Sequence, residues 1–356
     1  MMKNREELYN NYRSKFSELE IDENNFIKKY TSVEEEYNLV MRGVAVRDLS
    51  NYSKIFIHGK DSESLLKRLT TNKIIDLKVL EWVKTLFVNN DGNIIDRSLL
   101  LKFEDYFLLL GSNIEEKKLF KWILRFVMKE DIIIENSAED YALFEVMGLQ
   151  ANSYMSLILG DKFNELSEKN ILRVQVDDFF VHGVKVKDVG DIDKYVILVD
   201  SKNATRILDV LDEAKSVFDF GMVGEDAYNI FRIENGIPIA PNELNDTVNP
   251  MEVNLQNEVC CEKHSYIGHE VLEEGNGGIG KLVGITFKDN FQSSSHTIPI
   301  QNNLGDEIGI ITSFVNSDHL KQPIGLGFIE SSISPNGELY FAVDENIKTK
   351  IEINDL

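Results

Sequence analysis

Lys54-Ile55-Phe56-Ile57-His58-Gly59-Lys60-Asp61 sets the pattern that organises this chain. Branched and aromatic residues in an unbroken run read as a strand, Gly59 ends it, and Asp61 is placed to cap a helix carrying Leu65, Leu66 and Leu69. Three further strands are expected near 82–88, 94–101 and 105–110. Asn90-Asp91-Gly92-Asn93 between the first two reads as a hairpin turn, because Gly and Asn tolerate the positive φ angles such turns require. A helix with Leu119, Trp122, Ile123, Phe126 and Val127 on one face closes the series.

The same order returns about ninety residues later. Ala142-Leu143-Phe144-Glu145-Val146 is a strand that ends at Gly148, and a helix near 150–159 follows. Strands near 171–181, 183–189 and 194–200 come next, then a helix bearing Ile207, Val210, Leu211 and Ala214. Two copies of strand, helix, three strands and helix imply paired α+β lobes with a cleft at their junction. Beyond Gly221 the chain becomes turn-rich, with Pro238, Pro241 and Pro250, and from Lys281 it reads as short strands separated by turns. The expected fold is therefore α+β. Residues 1–50 and 140–245 form one lobe that includes an N-terminal helical segment, and 51–139 form the second. Residues 246–280 cross between elements, and 281–356 form an antiparallel β-barrel. The first 35 or so residues are polar and read as one or two surface helices.

Composition excludes several classes of function. The 356 residues are 43% hydrophobic, enough for a substantial core. No apolar run reaches the roughly 18 residues that span a bilayer, and Met1-Met2-Lys3-Asn4-Arg5-Glu6-Glu7 lacks a signal-peptide core, so a cytoplasmic location is expected. A net charge of -22 without a basic patch opposes binding to nucleic acid or anionic lipid. The only cysteines, Cys260 and Cys261, are adjacent and read as reduced, packed thiols. A metal site at His264 and His269 would need further ligands that the neighbourhood offers only as Glu262 and Glu270, so no metal is expected, and Gly275-Asn276-Gly277-Gly278 reads as a turn because it lacks the Lys and following helix of a phosphate loop.

Several stretches, in order along nearly the whole chain, carry a resemblance. They are Arg42-Gly43-Val44-Ala45-Val46-Arg47-Asp48-Leu49-Ser50, Leu65-Leu66-Lys67-Arg68-Leu69-Thr70-Thr71-Asn72 and Val88-Asn89-Asn90-Asp91-Gly92-Asn93-Ile94-Ile95-Asp96. The most specific series is Phe231-Arg232-Ile233-Glu234-Asn235-Gly236-Ile237-Pro238, Glu243-Leu244, Asn249-Pro250-Met251-Glu252-Val253-Asn254-Leu255 and Tyr266-Ile267-Gly268-His269-Glu270. In the β-rich end, Ile308-Gly309-Ile310-Ile311-Thr312-Ser313 and Ile324-Gly325-Leu326-Gly327-Phe328-Ile329 complete it. Together they resemble the folate-binding aminomethyltransferase-like superfamily, which includes the glycine-cleavage T-protein and the YgfZ-type proteins.

The resemblance implies a three-domain cloverleaf around a central pocket for tetrahydrofolate. It implies transfer of an aminomethyl or methyl group, with a one-carbon donor and a protein partner such as a lipoyl carrier. The acidic doublet of the family hairpin reads Asp96-Arg97 here, which makes these the candidate catalytic residues. A guanidinium cannot accept the hydrogen bond a carboxylate would take from folate N5, and it opposes positive charge developing there. Asp96 would have to turn inward to substitute, against strand alternation. If Arg97 faces the pocket, an anionic group is its expected neighbour.

Candidate folate contacts follow from the same resemblance. Tyr52 stands where a pterin-packing methionine often lies, Lys84 near the pocket tyrosine, and Asp191 or Asp193 at the acid that grips the pterin amines. Arg232 either touches ligand or pairs with Glu234, and Glu252 is the ligand-facing acid of its series. The YgfZ-type motif appears as Lys263-His264-Ser265-Tyr266-Ile267-Gly268-His269-Glu270, with Ser265 in place of the reactive cysteine, so thiol chemistry there is excluded. The expected function is a folate-dependent one-carbon transferase with an altered active site. The alternatives are a non-catalytic folate-binding accessory protein of the YgfZ type that supports iron–sulfur enzymes, and a binding module with a changed ligand.

Overall fold

The computed structural model describes residues 3–112, 117–163, 166–167, 169–187, 193–263, 265–275, 280–335, 339–345 and 347–356. The chain divides into two compact units. The first comprises Met1–Lys67, Lys73–Lys84 and Ser98–Tyr228; the second comprises Arg68–Asn72, Thr85–Arg97 and Asn229–Leu356.

Most of the internal repeat falls in the first unit, with residues 68–72 and 85–97 of one copy assigned to the second. A six-stranded sheet runs in the order Ile171–Val176, Phe179–Val186, Lys194–Asp200, Tyr141–Met147, Val44–Asp48 and Phe220–Met222. A five-stranded sheet runs in the order Glu81–Val88, Ile94–Lys102, Tyr106–Leu110, Lys54–His58 and Ile133–Asn136. Matched position by position, the first four strands have the same order of succession, while the fifth, Val44–Asp48 or Ile133–Asn136, precedes the four in one sheet and follows them in the other. Each copy also places a helix after its first strand, Ser62–Leu69 or Ala151–Leu159, and another after its last hairpin, Lys118–Leu124 or Ala204–Asp212. The paired α+β lobes expected from the repeated pattern are present.

Strand alternation gives the six-stranded sheet two different faces. One presents Val44, Val46, Phe144, Val146, Tyr195 and Ile197 to a core that also takes Tyr154, Met155, Ile207 and Leu211 from the helices. The N-terminal helix Lys3–Lys15 contributes Leu8, Tyr9 and Tyr12 to this core, so the polar start of the chain is a core element and not a surface one. The other face presents Leu49, Leu143, Val184, Val186, Val196 and Leu198, which pack against Trp82, Leu101, Phe103, Leu108 and Leu110 of the other lobe. This apolar layer decides where polar groups sit in the unit.

Two boundaries differ from the sequence reading. The hairpin expected near residue 182 turns at Asp177, which adopts a left-handed φ of 48°, a conformation Asp tolerates better than most residues. Asp61 begins its helix through its backbone carbonyl, which accepts from Leu65 N–H, while its side chain accepts from Asp131 N–H.

The second unit holds a closed barrel in the order Gly280–Phe287, Gln322–Glu330, Glu307–Ser317, Ile298–Gln301, Tyr340–Asp344 and Ile347–Asp355. Val283, Ile285, Ile298, Ile300, Ile311, Tyr340, Ile351 and Ile353 fill it. The β-rich C-terminal barrel matches expectation, with Ile347–Asp355 as an added sixth strand. Asn89 fixes the hairpin turn, its side chain accepting from the N–H groups of Asp91 and Asn93 while Gly92 takes a φ of 76°. The tip of the phosphate-loop comparison, 276–278, lies outside the described residues. Among the described residues no helix is long and apolar enough to cross a membrane.

Candidate functional site

At one end of the apolar layer in the first unit, Arg47, Glu145 and Lys194 replace the alternating hydrophobic residues. Each follows the register of its strand: Arg47 lies two residues before Leu49, Glu145 two after Leu143, and Lys194 two before Val196. Arg47 and Glu145 face each other directly across neighbouring antiparallel strands. Arg47 Nη1 donates to Glu145 at 2.8 Å, and Nη2 donates to both oxygens of Glu225 at 3.0 and 3.2 Å. The guanidinium lies 3.3 Å from the centre of the Tyr228 ring. Lys194 Nζ stands 3.9 Å from Glu145 and donates to the Tyr228 hydroxyl at 3.4 Å.

Two cations and two carboxylates thus balance in a site where Arg47 is 2% exposed. Burial works against the charge on Arg47, but the Glu225 and Glu145 carboxylates override it and hold the guanidinium protonated well above its ordinary range. One group is left over: Arg47 Nε is buried without an acceptor. Tyr52 closes the same corner. Its phenol is pushed up from its usual value by burial and by Glu225, against the pull of Arg47, and so stays neutral. The turn that presents it is pinned by the fully buried Lys54, whose Nζ donates to the carbonyls of Ser50 and Tyr52 at 2.9 Å each.

The other expected contacts of this unit lie elsewhere. Asp193 pairs with Lys185 at 3.0 Å on the helix-facing side of the sheet, the same side as Tyr195. Its neighbour Lys194 takes the inter-lobe face. Lys84 donates through Nζ to the Lys187 carbonyl. Asp191 lies outside the described residues.

In the second unit, Asp96 is buried on the hairpin strand and Arg97 is partly exposed, on the opposite side of the strand. The anionic neighbour expected for Arg97 is a protein side chain, Glu258. Nε donates to both its oxygens at 3.0 Å, and Nη2 donates to Oε1 at 2.6 Å. Arg232, expected against Glu234 or ligand, is 1% exposed, and its donors meet protein acceptors. It reaches Glu243 at 3.0 Å, Ser313 Oγ at 2.7 Å and Asn229 at 2.6 Å. A β-bulge at Ile311/Ser313 lets the adjacent Thr312 and Ser313 both donate to Glu243 Oε1, which regular alternation would forbid. Glu234 instead accepts from Ser317.

Glu252 closes a capping box with Asn249 and accepts from Gly280 N–H, both at 2.8 Å, so both its oxygens are engaged by backbone. Lys263 donates to the carbonyls of Thr70 and Asn72, clamping the end of a helix. Cys260 is half-buried and Cys261 is exposed, so the second thiol is not a packing residue. Among the described residues no cluster of three or more His, Cys, Asp and Glu side chains could hold a metal ion, and His264 lies outside that set.

The residues missed by sequence reasoning are Arg47, Glu145, Lys194, Glu225, Tyr228 and Glu258. A usable signal existed for the first two: a single charge inside Val44-Ala45-Val46-Arg47 and inside Leu143-Phe144-Glu145-Val146 needs a buried partner.

Comparison with known proteins gives one consistent result. A family profile described as the GCVT N-terminal domain matches residues 9–263. An aminomethyltransferase of Halothermothrix orenii is 28% identical over 327 residues, covering 89% of each chain. One from Bacillus mycoides is 28% identical over 334 residues, covering 91% of this chain and 87% of its own. Among solved structures, the glycine cleavage system aminomethyltransferase T from Bartonella henselae superposes with a TM-score of 0.85 at 17% identity, over 98% of this chain and 96% of that one.

Proposed function

Because the chain belongs to the GCVT N-terminal domain family, we propose that it is a tetrahydrofolate-dependent one-carbon transferase with an altered hairpin, taking its aminomethyl or methyl group from a donor such as a lipoyl carrier. The observation that carries this reading is the orphaned Arg47 Nε, buried at the charged end of the inter-lobe layer where the guanidinium lies over Tyr228 and acts on Tyr52. A buried donor without an acceptor is expensive in an otherwise satisfied site, and a ligand acceptor would relieve it. A pterin suits that place, since it is flat, neutral and bears carbonyl and ring-nitrogen acceptors. Tyr52 would stack on it, Arg47 would donate to it, and Glu145 and Glu225 would keep Arg47 charged and oriented.

When bound, tetrahydrofolate supplies the N5 nitrogen that accepts or gives the one-carbon unit. The chain's contribution at the hairpin is the Arg97–Glu258 pair. The pair is neutral as a whole, so it does not repel developing positive charge as a bare guanidinium would. It also lacks the free carboxylate of an acidic doublet, and slow turnover is the consequence. A second reading rests on that feature: with Glu258 held by Arg97, the protein binds folate without transferring carbon, as an accessory of the YgfZ type.

Calorimetric titration of tetrahydrofolate against the wild type and Arg97→Asp separates these readings, together with single-turnover assays using an aminomethylated lipoyl carrier. The transferase reading expects binding in both forms and faster turnover in Arg97→Asp. Binding without turnover in either form supports the accessory reading. No binding in either form removes both.

A further inference from the structure

The apolar layer of the first unit has a second polar end. On the strand Lys194–Asp200, the inter-lobe face reads Lys194, Val196, Leu198, Asp200, so Asp200 stands about 20 Å from Lys194 at strand rise. Tyr141, Arg173 and His182 reach the same end by the same alternation, two residues beyond Leu143, Ile171 and Val184. Tyr106 meets them from the other lobe. A cavity of about 330 Å³ opens among these side chains, Phe179 and Phe180, within the size range of small-molecule sites.

Three carboxylates, Asp177, Asp178 and Asp200, and three cations, Arg173, Lys202 and Arg206, stand at or beside this end, but the ion pairs leave one guanidinium out. Arg206 is shared by Asp178 and Asp177, and Asp200 pairs with Lys202 at 3.6 Å. Arg173 has no carboxylate partner among the described residues; its guanidinium carbon lies over the Phe180 ring, 3.7 Å from its centre. A guanidinium with no ion-pair partner, placed over an aromatic ring in a chain of net charge -22, is a preorganised anion contact. His182 sits directly across from Arg173 in the strand register, with its ring edge-on to Phe103 at 5.2 Å. Phe103 in turn stacks on Tyr106 at 4.6 Å, and the Tyr106 and Tyr141 hydroxyls interact. Burial, and then Arg173, hold the His182 imidazole down to about 4, so at neutral pH it offers one donor and one acceptor without adding charge.

We propose that this cavity is a second binding site, separate from the one at Tyr52 and Arg47, and that it takes a small aromatic carboxylate. The carboxylate lies on Arg173, the ring lies among Phe180, Tyr106 and Tyr141, and His182 hydrogen-bonds a polar substituent. A neutral ligand of the same shape would leave the guanidinium unanswered, and an aliphatic anion would leave the aromatic walls wet. Cations are disfavoured because the nearby carboxylates already have partners.

The test uses the full-length protein with 4-hydroxybenzoate and 4-hydroxybenzamide as probes, followed by saturation-transfer NMR and calorimetry. The acid is expected to bind at least about tenfold more tightly than the amide, the worth of one charge-assisted pair. Arg173→Gln is expected to bring the acid down to the affinity of the amide. Arg173 is exposed, so this variant retains the wild-type melting temperature and its binding loss is interpretable. Equal binding of acid and amide, an undiminished acid affinity in Arg173→Gln, or no saturation at millimolar acid overturns the proposal. Displacement of the acid by tetrahydrofolate overturns it too, because the cavity would then be part of the folate site. Failure of tetrahydrofolate to bind leaves the comparison of acid and amide unaffected.

Discussion

Arg47→Gln tests whether the charged end of the inter-lobe layer is as closed as its geometry implies. The substitution removes three charge-assisted hydrogen bonds, at 2.8, 3.0 and 3.2 Å, and the stack on Tyr228. Removing one partner of a buried ion pair costs about 3–5 kcal/mol, mostly because the other charge stays buried. Two features place this case at the low end. The Glu225 side chain is 31% exposed and can recover water, and Glu145 keeps Lys194 at 3.9 Å. The expected loss is therefore about 3 kcal/mol, or a fall of roughly 6–12 °C in the melting temperature of a unit this size. Both tryptophans, Trp82 and Trp122, belong to the first unit, so urea denaturation followed by tryptophan fluorescence reports on it alone. The double variant Arg47→Gln/Glu145→Gln is expected to recover about 1–2 kcal/mol, since the stranded carboxylate is gone. A loss under about 1 kcal/mol in the single variant, or additive losses in the double, would refute the argument.

His182→Gln probes the other end by pH. The folded protein holds His182 at about 4 against an ordinary 6.5, so the unfolded chain takes up the proton first, and wild-type stability falls as pH drops from 6.5 towards 4 and levels off below. That segment is worth about 3 kcal/mol, and the variant's pH profile, measured by urea melts, is expected to lack it; parallel profiles would count against the assignment. Glu252→Ala removes a capping acceptor and the contact to Gly280 N–H. It is expected to lower stability by about 1–2 kcal/mol while leaving tetrahydrofolate affinity unchanged, as calorimetry would register. Glu243→Gln leaves the Arg232 guanidinium buried beside a neutral amide. It should lower the protection of barrel amides in hydrogen exchange by about 3 kcal/mol or more, and unchanged protection would mean that Ser313 and Asn229 suffice as partners.

What the sequence disclosed depended on whether the information was local. The repeat was legible because strand, helix and hairpin patterns recur in the same order. The strands Val44–Asp48 and Ile133–Asn136 were not, because each pairs with the first strand of one lobe while the next strand after it in the chain belongs to the other. The barrel strand Ile347–Asp355 escaped notice because Lys348, Lys350, Glu352 and Asn354 dominate its composition, while only Thr349, Ile351 and Ile353 face inward. The candidate site was less legible still. Arg47 meets Glu145 only through a cross-strand register between residues 98 apart, and Arg97 meets Glu258 across 161. Asp193, the expected contact, and Lys194, which joins the site, take opposite faces through a single step of strand alternation, a distinction that no motif of loosely placed acids could make.

The two polar ends differ in a way that selects their ligands. Both arise because the apolar layer between the lobes stops before its strands do, leaving charged side chains on faces that elsewhere hold Leu and Val. At the Arg47 end, two cations meet two carboxylates, and among the described residues the buried group left without a partner is a single N–H donor. Full charge there would disturb a balanced network in a low-dielectric place, so the site favours a neutral ring with an acceptor. At the Arg173 end the local carboxylates pair with Arg206 and Lys202, and among the described residues the Arg173 guanidinium is left without an ion-pair partner, which favours an anion. Exchanging the two preferences would require moving one carboxylate. Introducing an acid beside Arg173, as in Gln175→Glu on the same face of its strand, is expected to abolish the advantage of 4-hydroxybenzoate over its amide without affecting tetrahydrofolate binding. An unaltered preference for the acid would mean that shape, and not residual charge, governs that cavity.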